Sequence, residues 1–252
     1  MDEVSLLTFP AVSSASAPTD YCGAAGQVLP QPYPLPTAPN YIPPATPTYR
    51  VVDFSSDYRV SDTAPALATA SNLVKGAGLG GCAGLQDPGG EGTYYPGVIY
   101  SAENLLLAEQ AARPGTQNAM IVLGDGDANA SRTEMASGAT NGGTYPSYNN
   151  ECHQAVTAAA WAATQGIGGT RVYTVAYGAQ TSGCNTDVSP YANPCYTMQH
   201  MASNVAYFYS DINSTRSGCT APSNQSISSL NAIFANIGSS LSIAHLVPDG
   251  VF

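Results

Sequence analysis

A fully apolar segment that follows a helix pattern places the strongest constraint on how this chain of 252 residues can fold. The segment is 119–123, and the helix pattern before it covers about 94–112. A strand without polar alternation must be buried on both faces, as in a parallel sheet covered by helices. Other strands are predicted at 4–9, 49–54, 171–177 and 206–209.

Helix patterns alternate with these strands along the chain. They cover about 64–75, behind the capping signal Ser61-Asp62-Thr63, and about 151–165, 194–203 and 225–241. The last pattern places apolar residues on one face, namely Ile227, Leu230, Phe234, Ile237 and Leu241. The alternation predicts the α/β class, with a doubly wound, mostly parallel sheet and helices on both faces.

The stretch at about 10–49 has a different composition. It holds ten of the 19 prolines, and Asp20 is its only charged residue. Proline fixes its own φ angle and restricts the residue before it, so the stretch is predicted to be a long surface insertion. We therefore expect a single domain over residues 1–252, interrupted by this Pro-rich insertion.

Charge and hydropathy exclude two classes of partner. The chain has 17 acidic and 7 basic residues, which gives a formal net charge of −10. So acidic a chain has no basic patch for nucleic acid or for an anionic membrane surface. No apolar run approaches the roughly 20 residues needed to cross a bilayer, so no membrane insertion is expected of this segment.

Six cysteines indicate an oxidising compartment, although six reduced thiols remain the alternative. No pair has the C-x-x-C spacing of a zinc site. Because only a short polar loop separates them, Cys184 and Cys195 are the favoured disulfide. Elimination then leaves Cys22–Cys82 and Cys152–Cys219. The first residues carry neither a basic region nor an apolar core of a signal peptide, so we expect that Met1 is not the natural start.

Polar residues follow the apolar strand, where ligands bind in open α/β sheets. Asp125 and Asp127 come directly after it, and Thr93 opens the helix before it. Two carboxylates and a hydroxyl form a hard, oxygen-rich donor set that suits Mg²⁺, Mn²⁺ or Ca²⁺. The alternative is that both aspartates only shape a tight turn and cap the next segment.

The strand and turn I-V-L-G-D-G at 121–126 resemble the fourth-strand motif of von Willebrand factor A (VWA) domains, and Gly92-Thr93 resembles their threonine loop. Together with three further segments, they resemble the C-terminal domain of TadG-like proteins, which take part in assembling Flp pili. The further segments are 4–10, 52–62 (V-D-F-S-S-D-Y-R-V-S-D) and 230–248, which ends L-S-I-A-H-L-V-P.

The resemblance implies a non-enzymatic, extracytoplasmic domain for protein contact or adhesion, in the periplasm or at the cell surface. It also implies a membrane-anchored full-length protein and a pilus or envelope protein as partner. VWA domains hold a metal through D-x-S-x-S after the first strand, a threonine and an aspartate. Thr93 and Asp125 match the last two, and Asp127 is the further candidate ligand.

The D-x-S-x-S motif is missing where the resemblance places it, because the chain opens on what resembles the second strand. The family's first strand lies between the second and the fourth, so we expect an N-terminally truncated domain. Its partial metal site should hold Mg²⁺ or another divalent cation only weakly. Asp53-Phe54-Ser55-Ser56-Asp57 is a near match to the motif, with Asp57 in place of the final serine.

Two other functions remain open. One is a secreted metal-dependent hydrolase on a different doubly wound fold, with Asp125 and Asp127 as metal ligands. It would need further ligands, for which Asp187 and His200 are the nearby candidates in chain order. The other is a structural module of the cell surface that binds no metal.

Overall fold

A computed structural model of the chain describes residues 2–11, 49–61, 63–85, 92–135, 137–188, 190–210 and 229–242. Most of the Pro-rich insertion, the predicted helix cap at Asp62 and the residues Ile227, Cys22 and Cys219 lie outside the described residues. The helices and strands follow one another as β1 Val4–Leu7, β2 Arg50–Ser55, α1 Asn72–Gly76, α2 Tyr95–Ala112, β3 Ala119–Gly124, α3 Glu151–Ala162, β4 Arg171–Ala176, α4 Pro194–Met201, a 3₁₀ turn Val205–Tyr207, β5 Phe208–Ser210 and α5 Leu230–Ser242.

The strands form two sheets. β3, β4 and β5 form a parallel sheet in that order, with Ala119 opposite Arg171 and Thr174 opposite Phe208. β1 and β2 form a separate antiparallel pair. The prediction of an α/β chain with a parallel sheet is therefore confirmed, and the antiparallel pair is an addition to it.

Helices cover both faces of the central strand β4. Its residues Val172 and Ala176 pack in the main core with α2, α3 and α4. Tyr173 and Val175 point to the other face and pack against α5. This alternation explains why β4 has no polar face: each successive side chain meets a helix layer.

The C-terminal helix α5 packs on the sheet largely through the predicted face. Ile237 is buried against Tyr173 and Tyr209, and Leu230 and Leu241 pack against the same cluster, as predicted. Phe234, also predicted to point inward, is exposed, and its neighbour Ile233 is buried instead. Contact with the sheet therefore rotates the buried face by one residue at this point of the helix.

The helix predicted over about 64–75 is much shorter, and its start was wrong. α1 begins at Asn72, because the Ser71 hydroxyl accepts a hydrogen bond from the Leu73 amide and caps it there. Leu67, within the predicted range but before α1, is exposed. Val74 is buried, and Leu73 packs against β2.

Helix α2 contacts both sheets and fixes their relative direction. Near its C-terminus, Arg113 forms an ion pair of 2.9 Å with Glu3, just before β1. Near its N-terminus, the Tyr95 ring lies 5.1 Å from the ring of Phe9, just after β1. β1 therefore runs in the opposite direction to α2. β3 does so too, because its carboxyl end lies at the N-terminus of α2, where the Tyr95 hydroxyl accepts a hydrogen bond from the Gly126 amide. β1 and β3 are thus parallel, yet they pair with different neighbours.

One further property concerns hydropathy. In the described part of the chain, no helix combines the length and the apolar character needed to cross a bilayer.

Candidate functional site

The loops that follow β3 and β4 meet at the carboxyl edge of the parallel sheet. The Tyr177 amide donates to the Gly124 carbonyl at 2.9 Å, so the two strand ends are hydrogen-bonded neighbours. Gly126 takes a left-handed φ of +87° and turns the chain towards α4, where Pro194 and Met198 lie against it. This edge is where the sequence places its candidate ligands.

Asp125 and Asp127 both lie in this turn, but their carboxylates are engaged to different degrees. Asp127 accepts from the Cys184 amide at 2.6 Å through Oδ1 and from the Asn129 side chain at 2.9 Å through Oδ2. Asp125 accepts from the Asp127 amide at 3.1 Å and is exposed. Asp125 is therefore the carboxylate with acceptor capacity left for a ligand.

Thr93 joins the same loop through its backbone. Its amide donates to the Asn129 side chain at 3.0 Å, and its carbonyl accepts from the amides of Asn129 and Ala130. Since Asn129 also donates to Asp127, one side chain ties the threonine loop to the aspartate turn. All three predicted site residues thus belong to one hydrogen-bonded region.

The electrostatics of the turn leave Asp125 under-compensated. Desolvation raises the pKa of its carboxyl, and the neighbouring negative charge of Asp127 adds to the rise. The hydrogen bond from the Asp127 amide acts in the opposite direction without cancelling it. A cation placed at Asp125 would therefore be favoured.

The near match to D-x-S-x-S lies far from this turn. Asp53 and Ser55 are on β2, which is antiparallel to β1, and β1 is parallel to β3. The carboxyl end of β2, with Asp57, therefore points to the opposite edge of the molecule. There Asp57 accepts from the Ser71 hydroxyl at 2.7 Å, next to the start of α1. The segment is not placed to complete a metal site with Asp125.

A buried disulfide supports the turn, and it corrects the predicted pairing. Cys184 is bonded to Cys152 at the start of α3, not to Cys195, so the Cys152–Cys219 pair is wrong as well. Both sulfur atoms lie 3.8 Å from the Gly126 carbonyl oxygen. Cys82 and Cys195 are also disulfide-bonded, and the predicted Cys22–Cys82 pair involves a residue outside the described ones. The prediction of disulfides over free thiols is confirmed for these four cysteines.

The donor set at the carboxyl edge is too sparse for a preformed metal centre. Within the described ranges, the three side chains whose ligand atoms lie within 4.8 Å of one another are Asp127, Cys152 and Cys184. The two cysteines are joined in the disulfide and offer no thiolates. A divalent cation would rely mainly on Asp125, the Thr93 hydroxyl and water, because each oxygen of Asp127 already accepts a hydrogen bond and is a weaker ligand for it. We therefore keep the expectation of weak binding.

Asp187 and His200, the further ligands that a hydrolase would need, are engaged elsewhere. The buried Asp187 carboxylate accepts from the amides of Cys152 and His153 at 3.0 and 2.9 Å, and so caps α3. It also contacts the His153 ring. The other ring nitrogen, Nε2, is buried and has no hydrogen-bond partner in the described residues, so no nucleophile is placed for this histidine to activate. His200 is exposed and stacks on Tyr196 of its own helix. The capping role was missed because 34 residues separate Asp187 from His153 in sequence.

A second buried carboxylate lies beneath the turn and was not predicted. Glu151, the first residue of α3, is fully buried, and neither of its carboxylate oxygens has a hydrogen-bond partner. Burial raises its pKa from 4.5 to about 9, and the charges of Asp187, Glu134 and Asp127 contribute to the rise. The nearby Ala130 amide acts to lower the pKa without cancelling the effect of burial, and that amide is hydrogen-bonded to the Thr93 carbonyl. Glu151 is therefore neutral at pH 7.

The turn at Gly126 admits no side chain, which gives a testable consequence. In Gly126→Ala the new Cβ would lie 2.7 Å from the Pro194 carbonyl carbon, and the residue would keep a left-handed φ. We expect a loss of about 3–4 kcal/mol in the free energy of unfolding, from strain plus overpacking. The matched control is Gly178→Ala at the same edge, where φ is +69° and the new Cβ meets nothing within 4 Å. It should lose only about 1–2 kcal/mol in urea unfolding. Equal losses would contradict the close packing at Gly126.

Comparison with known proteins returns no match: no family model, no curated protein and no solved structure is significantly similar to this chain.

Proposed function

We propose that this chain is a non-enzymatic, VWA-like domain for protein interaction or adhesion, with its binding surface at the carboxyl edge of the sheet. By its resemblance to TadG-like proteins, it acts outside the cytoplasm in the assembly of Flp-type pili, and its partner is a pilus or envelope protein. A divalent cation bound weakly at Thr93, Asp125 and Asp127 belongs to the same proposal.

The observation that carries the proposal is the interruption between the two sheets. β1 and β3 run in the same direction under α2, but one pairs with β2 and the other with β4. A VWA-like sheet has its first strand between the equivalents of these two strands. One added strand, marked x, would join the two sheets into a single doubly wound sheet in the order β2-β1-x-β3-β4-β5.

Exposed apolar side chains support this position for the strand. On β3, Met120 and Val122 are buried, whereas Ile121 and Leu123 are each 41% exposed. Helix α5 covers the corresponding face of β4 but leaves these two residues open. Among the described strands, β3 pairs on one side, with β4. An exposed apolar face and a free strand edge are unfavourable in water, so both support a covering element beside β3.

The chemistry of the carboxyl edge favours binding over catalysis. Two of the acidic residues there are engaged in structural hydrogen bonds. Glu134 accepts from the amides of Gly92 and Ser131, and Asp187 accepts from two amides at the start of α3. The His153–Asp187 pair holds the start of α3, and within the described residues no hydroxyl or thiol is hydrogen-bonded to the His153 ring nitrogen Nε2. The exposed large hydrophobic residues there are Tyr177, Tyr191 and Val188, and exposed tyrosines are typical of protein interfaces.

Photo-crosslinking in the native cell tests the proposal. A photoreactive p-benzoylphenylalanine in place of Tyr177, 51% exposed at the carboxyl edge, should form a crosslink to one defined envelope or pilus protein. The matched control is the same replacement of Ile167, 62% exposed at the opposite edge beside α2, which should give no such product. Mass spectrometry identifies the product.

Two results would contradict the proposal. One is the same crosslinking pattern from both positions. The other is hydrolysis of model phosphate or carboxylate esters with Mg²⁺ or Mn²⁺ that disappears in Asp125→Ala, because it would assign the edge to a hydrolase.

A further inference from the structure

The loops at the carboxyl edge carry more acidic than basic residues, which favours a positively charged partner group there. Four acidic residues lie on its loops, namely Asp125, Asp127, Glu134 and Asp187, and the neutral Glu151 is buried beneath them. Among the described basic residues, most lie elsewhere: Arg50 pairs with Asp53, Arg113 with Glu3 and Glu109, and Arg171 begins β4 at the amino edge. Arg132 is the one basic residue placed on the loops after β3 and β4 in the described ranges.

Only one of these carboxylates is available to a partner. Asp127, Glu134 and Asp187 each accept two or more hydrogen bonds from their own loops or from the start of α3. Asp125 accepts from the Asp127 amide and lies exposed. It therefore has room for a bidentate donor, and the excess negative charge around it is uncompensated.

The loops that carry this carboxylate also carry exposed aromatic and aliphatic side chains. Tyr177 is hydrogen-bonded through its amide to Gly124, the residue before Asp125. Tyr191 donates its hydroxyl to the Gly183 carbonyl at 3.0 Å, and Gly183 adjoins the Asp127 carboxylate. Val188 follows Asp187 and is 66% exposed. A carboxylate with acceptor capacity left, on the same loops as exposed tyrosines and next in the chain to the residue that Tyr177 contacts, has the composition of an interface hot spot.

We infer that this surface receives an arginine side chain of a partner protein directly, with Asp125 as the paired carboxylate and Tyr177 as the flat face beside the guanidinium. A guanidinium matches a carboxylate with two parallel donors and stacks on an aromatic ring, which an ammonium group does less well. The inference rests on the proposed function, because it assumes that the carboxyl edge is the interaction surface. It differs from a contact bridged by a cation bound at Thr93 and Asp125, in which the partner would supply an acidic side chain as a further ligand of the cation.

Titration with small probes tests the inference on the full chain by two-dimensional ¹H–¹⁵N NMR. Nα-acetyl-argininamide should shift the amide signals of Gly124, Gly126 and Tyr177, and Nα-acetyl-lysinamide should bind several-fold more weakly. Asp125→Asn should weaken the arginine probe about ten-fold or more. Tyr177→Leu should abolish the preference for arginine over lysine, whereas Tyr177→Phe, which keeps the ring, should retain it.

Asp53→Asn is the matched control, because it removes the same charge from β2, away from the edge, and should leave binding at Tyr177 unchanged. Equal shifts from the arginine and lysine probes, spread over the surface, would overturn the inference in favour of general attraction to a chain of charge −10. Binding of Nα-acetyl-aspartamide that requires Mg²⁺ would also overturn it, while leaving the proposed function intact. No shift at the edge from any probe, together with no crosslink from Tyr177, would overturn both.

Discussion

Glu151→Gln is expected to make the protein more stable at pH 8 and to flatten the pH dependence of its free energy of unfolding. The wild-type carboxyl is fully buried without a hydrogen-bond partner, and burial raises its pKa from 4.5 to about 9. At pH 8 the unfolded chain carries this group ionised, so folding must reprotonate it. That requirement costs about 5 kcal/mol at pH 8. An unpaired buried amide in the variant offsets about 1–3 kcal/mol, which leaves a net gain of about 2–4 kcal/mol.

The sign of this effect follows from the direction of the shift. An acid whose pKa is higher in the folded state contributes stability below its unfolded value of 4.5, and that contribution is lost as pH rises towards about 9. Wild-type stability should therefore fall across this window. In Glu151→Gln the fall should be smaller, and below pH 4.5 the variant should be no more stable than the wild type. Urea unfolding followed by circular dichroism at a series of pH values measures both curves.

Glu134→Gln is the matched control, because it removes a carboxylate of the same region with the opposite linkage. Although partial burial acts to raise the pKa of Glu134, its hydrogen bonds from Gly92 and Ser131 outweigh burial and lower the pKa. This variant should lose stability at pH 7, and the loss should shrink only as pH falls below 4.5, towards the lower pKa of the folded state. If Glu151→Gln also loses stability at pH 8, the Glu151 carboxyl must make stabilising hydrogen bonds, which would contradict its position without hydrogen-bond partners.

Glu103 on α2 gives a second check on the pH range over which stability should fall. Burial raises its pKa from 4.5 to about 7, and the Thr170 hydroxyl, which donates to it at 2.8 Å, limits the rise. Its contribution to the fall in stability should therefore end near pH 7, whereas that of Glu151 continues above it. Glu103→Gln should leave the slope between pH 7 and 9 unchanged, which separates the two buried carboxylates in one series of measurements.

Local sequence patterns predicted the elements that hold the site. β3, α3 and β4 lie within a few residues of their predicted bounds, because apolar runs and helix caps are set by neighbours in sequence. The place of Asp125 at the carboxyl edge follows from the same run, since a parallel strand that ends at Gly124 must turn there. The role of Asp125 as a metal ligand stays a prediction.

Contacts between distant residues decided what could not be predicted. The sequence offers two possible helix caps before α1, at Ser61-Asp62-Thr63 and at Ser71. The helix begins after Ser71, because the residues between 64 and 71 bury little apolar surface and gain little from forming a helix. Cys184 pairs across a separation of 32 residues rather than with its neighbour in sequence, because its loop folds back onto the start of α3. Asp187 caps the same helix end from that loop. No local pattern marks either partner.

The double variant Cys152→Ala/Cys184→Ala is expected to lose about 3–4 kcal/mol in the free energy of unfolding, because the bridge closes a long loop. The loop spans 32 residues and contains α3 and β4. Urea unfolding at pH 7 gives the loss directly. The matched control is Thr157→Ala on the exposed side of α3, which should change stability by about 0.5 kcal/mol or less.

The same bridge should control the candidate site, because its sulfur atoms lie against Gly126 and the Cys184 amide holds the Asp127 carboxylate. Without it, Asp127 loses its fixed donor and the turn that presents Asp125 loosens. We therefore expect the double variant to bind Nα-acetyl-argininamide more weakly, although Asp125 and Tyr177 are unchanged. Both cysteines are fully buried, so a mild reductant should leave the bridge intact in the folded wild type. Unchanged arginine binding in a destabilised double variant would show that the turn is held by Asn129 and Tyr95 alone.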